Sequence, residues 1–130
     1  MSQSGATHDA GRALVLIVED EEPIALALSF IVEDAGYEPL IARHGREAIE
    51  LTRTHHVALI ITDLMMPVMT GQEFIAILRS GAHADGEQRP PLIIMTAAGS
   101  GYVENIDADA VLLKPFEVEY VEELLTRFLT

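Results

Sequence analysis

Four consecutive acids, Glu19-Asp20-Glu21-Glu22, follow directly on the apolar run from Ala13 to Val18, and Asp63 ends a second such run, Val57 to Thr62. Two further runs close on different chemistry. Leu92 to Thr96 ends in a hydroxyl, and Ala110 to Leu113 is followed by the ammonium of Lys114. If these runs are parallel strands, all of these groups open on one edge of a sheet. Two like charges about 4 Å apart repel by about 4 kcal/mol at an effective dielectric near 20, so converging carboxylates call for a cation or shared protons. Oxygen donors with neither His nor Cys beside them suit a hard ion, Mg²⁺ ahead of Ca²⁺. A hydroxyl and an ammonium facing such a centre match a transferred phosphoryl group. Its charge is spread over three oxygens, and its transfer depends on positioning and electrostatic stabilisation.

Each group has a plainer reading on its own. Acids after a strand favour the N-terminus of the next helix, and Glu21 and Glu22 are read that way. Glu19 and Asp20 terminate the strand itself and are read as metal ligands. A strand-end threonine is ordinary, and a strand-end lysine is most often a surface charge. Their coincidence at four successive strand ends is what sets the functional reading above the plain one. His55-His56 lack acidic or cysteine partners at metal spacing and are read as surface residues, while His44 and His83 carry no signal.

The elements that must position these groups are legible in the apolar pattern. Uniformly apolar runs at Ala13–Val18, Val57–Thr62, Leu92–Thr96 and Ala110–Leu113 fit strands buried on both faces. Glu38 to Ala42 reads as a weaker strand nearer an edge. Pro23 suits a first helical turn, followed by Ile24, Leu28, Ile31 and Ala35 until Gly36 stops the helix. Gly45 to Arg53 reads as a second helix with Ala48 and Leu51 or Thr52 inward. Thr70 caps a third, with Phe74, Ile75 and Leu78 apolar before Gly81. Glu117 to Leu129 is the last, with Val118, Val121, Leu124, Leu125 and Phe128 inward and Glu119, Glu122 and Glu123 outward. Alternating strands and helices predict a doubly wound α/β sheet with helices on both faces. In such sheets the ligand site lies outside the carboxyl ends of the strands.

At 130 residues with 49% apolar composition the chain suits one domain with an ample core. Residues 1–11 read as a flexible N-terminal arm, unlike a signal peptide, and residues 12–130 as the domain. A formal charge of −13 argues against nucleic acid or an anionic membrane as a partner. The absence of cysteine excludes disulfides, thiolate metal sites and a Cys nucleophile, and is compatible with the cytoplasm. No apolar run approaches the roughly 20 residues that span a bilayer.

The segments VLIVEDEEPI, IITDLMMPVMTG, PLIIMTAA and VLLKPF together resemble the response regulator receiver domain of two-component signalling, over nearly all of Ala13 to Phe128. The resemblance implies a flavodoxin-like five-stranded parallel sheet of order 2-1-3-4-5. It implies that Asp63 is the phosphoacceptor, and that Glu19, Asp20, Asp63 and the backbone carbonyl of Met65 hold Mg²⁺. Thr96 and the backbone N–H of Ala97 would bond phosphoryl oxygens, and Lys114 another. Lys114-Pro115 would be a cis peptide, with Pro67 and Gly71 shaping the loop after Asp63. The donor would be a histidine kinase or a histidine phosphotransfer protein, and the output an unnamed downstream protein. Such a domain is no enzyme beyond self-catalysed phosphoryl acceptance and slow autodephosphorylation.

The pattern is broken at two places. Val111 stands where the family usually has an aromatic, three residues before the lysine. The stretch from Thr96 to Lys114 is short and begins Ala97-Ala98-Gly99-Ser100-Gly101, so the fourth helix is expected to be short or irregular. Met65 and Ala98 can neither orient nor activate water; a long-lived phosphoryl group is one reading and simple space filling the other. Leu26 beside Phe30 offers either an apolar docking patch or incidental surface. A haloacid-dehalogenase-type phosphatase would need a second aspartate where Met65 stands. A flavin site would need a phosphate cradle where Glu21-Glu22-Pro23 stands. The remaining alternative is a binding module of this fold that signals without phosphorylation.

Overall fold

The computed structural model describes residues 11–63, 73, 76, 90–97 and 108–130. Five parallel strands, β1 (Leu14–Val18), β2 (Glu38–Ala42), β3 (Val57–Asp63), β4 (Leu92–Thr96) and β5 (Ala110–Leu113), form one sheet of order β2-β1-β3-β4-β5. Three helices are described along their whole length: α1 (Glu22–Asp34), α2 (Gly45–Thr54) and α3 (Val118–Leu129). The expected order 2-1-3-4-5 is the observed one. Of the expected helix after Thr70, Glu73 and Ala76 are described, and both are helical and exposed. The expected short fourth helix and the N-terminal arm up to residue 10 lie outside the described residues.

The sheet is covered on both faces because its strands alternate two apolar rows. Val15, Ile17, Leu59, Ile61, Ile93, Met95 and Leu112 face one way, against Leu28, Ile31 and Val32 of α1 and Val121, Leu124 and Leu125 of α3. Leu16, Val18, Ala42, Ile60, Leu92 and Ile94 face the other way, against Ala48 and Ile49 of α2. Strands apolar on both sides need this double cover, and the right-handed crossover supplies it.

Local signals set the helix limits. Pro23 opens α1. The helix ends in a pair of reversed hydrogen bonds, Tyr37 N–H to Val32 O at 3.1 Å and Gly36 N–H to Glu33 O at 3.0 Å. Gly36 takes φ of +99° there, a conformation a side chain would strain. At the other end of the sheet from the acids, Leu92 and Asp109 clip β4 to β5: the Asp109 N–H donates to Leu92 O and the Leu92 N–H to Asp109 Oδ2, each at 2.8 Å.

One inward assignment needs correction, and one residue of the helical spacing lies at a helix end. Val118 is 47% exposed, as is the whole first turn of α3; the buried stripe of that helix begins at Val121. Ala35 is exposed, since it is the capping residue of α1 rather than part of its apolar stripe. Phe128 is partly buried against the core, and Glu119, Glu122 and Glu123 face solvent as expected.

Candidate functional site

Glu19 is the next residue after β1, and its N–H donates to Ala42 O at 2.9 Å, which continues the β1–β2 ladder by one step. Register sets Val18 opposite Thr62 and Asp63 opposite Met95, so Glu19 and Asp63 leave neighbouring strands at the same level. By strand alternation Glu19 extends the Val15–Ile17 row and Asp63 the Leu59–Ile61 row. Glu19 is wholly buried and Asp63 nearly so, while Asp20 is exposed. One carboxylate oxygen from each of Glu19, Asp20 and Asp63 lies within 4.8 Å of the others.

Lys114 enters the same cluster from β5. Its N–H donates to Thr96 O at 2.9 Å, and the Lys114-Pro115 peptide is cis, as expected. The Nζ donates to Asp63 Oδ2 at 3.2 Å and lies 3.1 Å from Glu19 Oε1. The second contact is an ion pair without hydrogen-bond geometry, so Glu19 Oε1 is a buried oxygen with no hydrogen-bond donor. Glu19 Oε2 accepts the Glu21 N–H at 3.0 Å. Thr96 is buried at the end of β4, bound to the centre through its backbone, and Ala97 follows it as an exposed residue.

The electrostatics follow from this burial. Desolvation pushes the Glu19 carboxyl from 4.5 up to about 7, with the Asp63 charge raising it further, against the Glu21 N–H and Lys114, which pull it down. For Lys114, burial works against the charged form, but the two carboxylates outweigh it and hold the ammonium above the ordinary lysine range. The folded chain therefore binds more protons at Glu19 than the unfolded chain between about pH 4.5 and 7. Glu19 thus contributes stability to the metal-free fold that is present at low pH and lost as pH climbs through that window.

A divalent cation fits this arrangement. The donor set is oxygen only, it carries excess negative charge, and Glu19 Oε1 is the orphaned buried acceptor a cation would satisfy. Binding requires Glu19 ionised. Mg²⁺ affinity is therefore expected to rise between about pH 5.5 and 7.5, with up to one proton expelled per ion in the lower half of that range. Calorimetry in buffers of different ionisation enthalpy counts those protons; affinity flat across the range would contradict the assignment.

Of the residues the sequence singled out, Glu19, Asp20, Asp63 and Lys114 are brought together, with Thr96 bonded to Lys114 alongside. Met65, Pro67, Gly71 and Ala98 lie outside the described residues. Val111 is half-buried on β5, and its carbonyl accepts from the Tyr120 hydroxyl of α3 at 3.4 Å. His44 has a structural task that sequence reasoning missed: its Nδ1 accepts the Glu47 N–H at 3.2 Å and caps α2, while Glu47 Oε1 accepts the Arg43 N–H at 2.8 Å. The signal was available, since a polar residue three positions before a glutamate is a capping pattern. Leu26 and Phe30 are exposed on α1, as expected.

Comparison with known proteins gives a consistent picture. The profile of the response regulator receiver domain family matches residues 15–126. The uncharacterized transcriptional regulatory protein YkoG of Bacillus subtilis is 35% identical over 117 residues, covering 87% of this chain and 48% of that protein. Response regulator ArlR of Staphylococcus aureus is 34% identical over 117 residues, covering 87% of this chain and 49% of its own length. The chain thus spans about half the length of the curated relatives it matches. Among solved structures, the chemotaxis response regulator CheY4 of Vibrio cholerae superposes with a TM-score of 0.80 at 34% identity, over 91% of this chain and 99% of CheY4.

Proposed function

We propose that this chain, which belongs to the response regulator receiver domain family, accepts a phosphoryl group on Asp63 in a two-component or phosphorelay pathway. The observation that carries the reading is the Asp63 carboxylate held between Lys114 Nζ at 3.2 Å and the acids Glu19 and Asp20. A carboxylate is a weak nucleophile toward an anionic phosphodonor, and Asp63 alone among the described aspartates has both an ammonium and a metal-competent cluster beside it. Asp109 sits at the opposite edge, occupied with the Leu92 N–H.

In the proposed step an Asp63 carboxylate oxygen forms the new bond to phosphorus while the donor's bond breaks. With acetyl phosphate the leaving group is acetate. With a phosphohistidine whose second ring nitrogen is protonated, it is neutral imidazole. Glu19, Asp20 and Asp63 would hold Mg²⁺, which supplies charge neutralisation at the phosphoryl oxygens when bound. Lys114 neutralises charge at one oxygen, and the Thr96 hydroxyl and the Ala97 N–H serve the others. The added negative charge then biases a pre-existing conformational equilibrium read by a downstream protein. The donor is a histidine kinase or histidine phosphotransfer protein. The chain turns over no substrate of its own beyond slow autodephosphorylation. Its net charge of −13 is at odds with direct nucleic-acid binding. No described helix is long and apolar enough to cross a membrane, and a cytoplasmic location fits this role.

The test is incorporation of phosphate from acetyl phosphate with and without Mg²⁺, followed by mass spectrometry of the acid-stable and hydroxylamine-sensitive fractions. One metal-dependent, hydroxylamine-sensitive phosphate per chain is expected. A folded chain that binds partners yet takes no label would favour a receiver-fold module that signals by contact alone.

A further inference from the structure

Among the described residues, two basic side chains make ion pairs with the acidic segment Glu19–Glu22. Lys114 lies inside the cluster. Arg43 stands outside it, with Nη2 3.6 Å from Glu22 Oε2. The backbone fixes where Arg43 sits. The residue before it, Ala42, accepts the Glu19 N–H at 2.9 Å, and Arg43's own N–H is held by Glu47 Oε1 at 2.8 Å. The side chain, by contrast, is free to exchange partners. It is 53% exposed and its glutamate 61%, so this pair has the modest strength of a surface contact.

The site faces a charge problem that Lys114 does not solve. A phosphodonor is an anion, the chain carries a formal charge of −13, and Asp20 of the cluster and the two acids that follow it in the chain, Glu21 and Glu22, are all exposed. Lys114 neutralises charge only once the donor has arrived, because it is already engaged by Glu19 and Asp63. A guanidinium offers paired N–H groups that match phosphoryl oxygens as well as they match a carboxylate, and a phosphoryl group brings more negative charge than the single exposed carboxylate it would displace.

We infer that Arg43 is a positioning residue that guides the anionic phosphodonor to Asp63 by exchanging the Glu22 carboxylate for a donor phosphoryl oxygen. The inference rests on the phosphoacceptor reading above. It assigns the β2–α2 corner, which carries no ligand of the metal cluster, to the approach of the donor.

The experiment compares initial labelling rates with acetyl phosphate at saturating Mg²⁺, in low and high salt, for the unaltered chain, Arg43→Gln, Arg43→Lys and Glu22→Gln. Arg43→Gln is expected to slow labelling about three- to tenfold at low salt, with the loss shrinking as salt is raised. The loss should appear as weaker donor half-saturation rather than a lower plateau. Arg43→Lys should recover most of the rate, and Glu22→Gln should exceed the unaltered chain. Mg²⁺ affinity of Arg43→Gln, read by calorimetry, should be equal or slightly tighter, because a nearby positive charge has been removed. Labelling of Arg43→Gln at the original rate in low salt overturns the inference, and so does a loss that follows weakened Mg²⁺ binding. If the unaltered chain takes no label, the phosphoacceptor reading itself falls and carries this inference with it.

Discussion

Replacing Asp63 by Asn should reduce labelling by acetyl phosphate to background while leaving the fold intact. The amide keeps the shape of the side chain but offers no anionic oxygen to attack phosphorus. The neighbouring acids cannot substitute: Glu19 has one oxygen bound by the Glu21 N–H and the other beside Lys114, and Asp20 is exposed outside the strand. The change also removes a charge that raises the Glu19 carboxyl. Metal-free Asp63→Asn should therefore lose less stability than the unaltered chain as pH rises toward 7, and it should bind Mg²⁺ more weakly with one carboxylate gone. Chemical denaturation at two pH values and calorimetry read both effects. Undiminished labelling of a folded Asp63→Asn would remove the central assignment.

The second large effect is expected at Lys114. Lys114→Met keeps the length of the stem and deletes the ammonium, leaving wholly buried Glu19 and nearly buried Asp63 without their shared cation. Breaking a buried pair in this way typically costs about 3 kcal/mol or more when the orphaned charge persists. Here the charge can be relieved by protonation, because Glu19 already titrates at about 7 and loses a group that holds it down. The cost should accordingly be small near pH 5.5 and should grow toward roughly pH 8, by up to about 1.4 kcal/mol per pH unit per proton. Mg²⁺ should restore much of the stability, since it binds only the folded cluster. The variant thus should bind Mg²⁺ at least as tightly as the parent at neutral pH, yet accept phosphate about a hundredfold more slowly. A Lys114→Met protein that loses Mg²⁺ affinity and labelling in parallel would mean that the lysine supports the fold of the pocket rather than the phosphoryl group.

How far the sequence revealed this depends on which physical signal each residue leaves. The five strands are placed within a residue at their ends, because an uninterrupted apolar run bounded by charge has few other ways to be buried. Their carboxyl-end residues are legible for the same reason: Glu19, Asp63 and Lys114 are where those runs stop. Side-chain pairing across the sheet is not legible. The Lys114–Glu19 contact, the burial of Glu19 and its raised carboxyl depend on register between β1, β3 and β5, which no local pattern encodes. Val118 shows a related limit. Its apolar character matches the stripe of α3, but periodicity does not say at which turn burial begins, and here it begins at Val121. His44 was passed over because histidine is an uncommon cap, although the glutamate three residues on was in plain view. Arg43 and Asp109 were likewise silent, since each acquires its role from a partner far along the chain.

The Lys114–Asp63 bond joins residues 51 positions apart, and the site draws side chains from β1, β3 and β5 with Thr96 of β4 alongside. No hairpin or single βαβ segment of this molecule contains even the minimum set of groups. Chain closure over such separations is slow relative to local helix formation, so the pocket matures only when the last strand docks. Partial unfolding that peels away β5 would strip the cluster of its ammonium at a stroke. Competence for phosphotransfer is in this sense an all-or-none property of the assembled sheet, and a nascent or damaged chain is silent by construction.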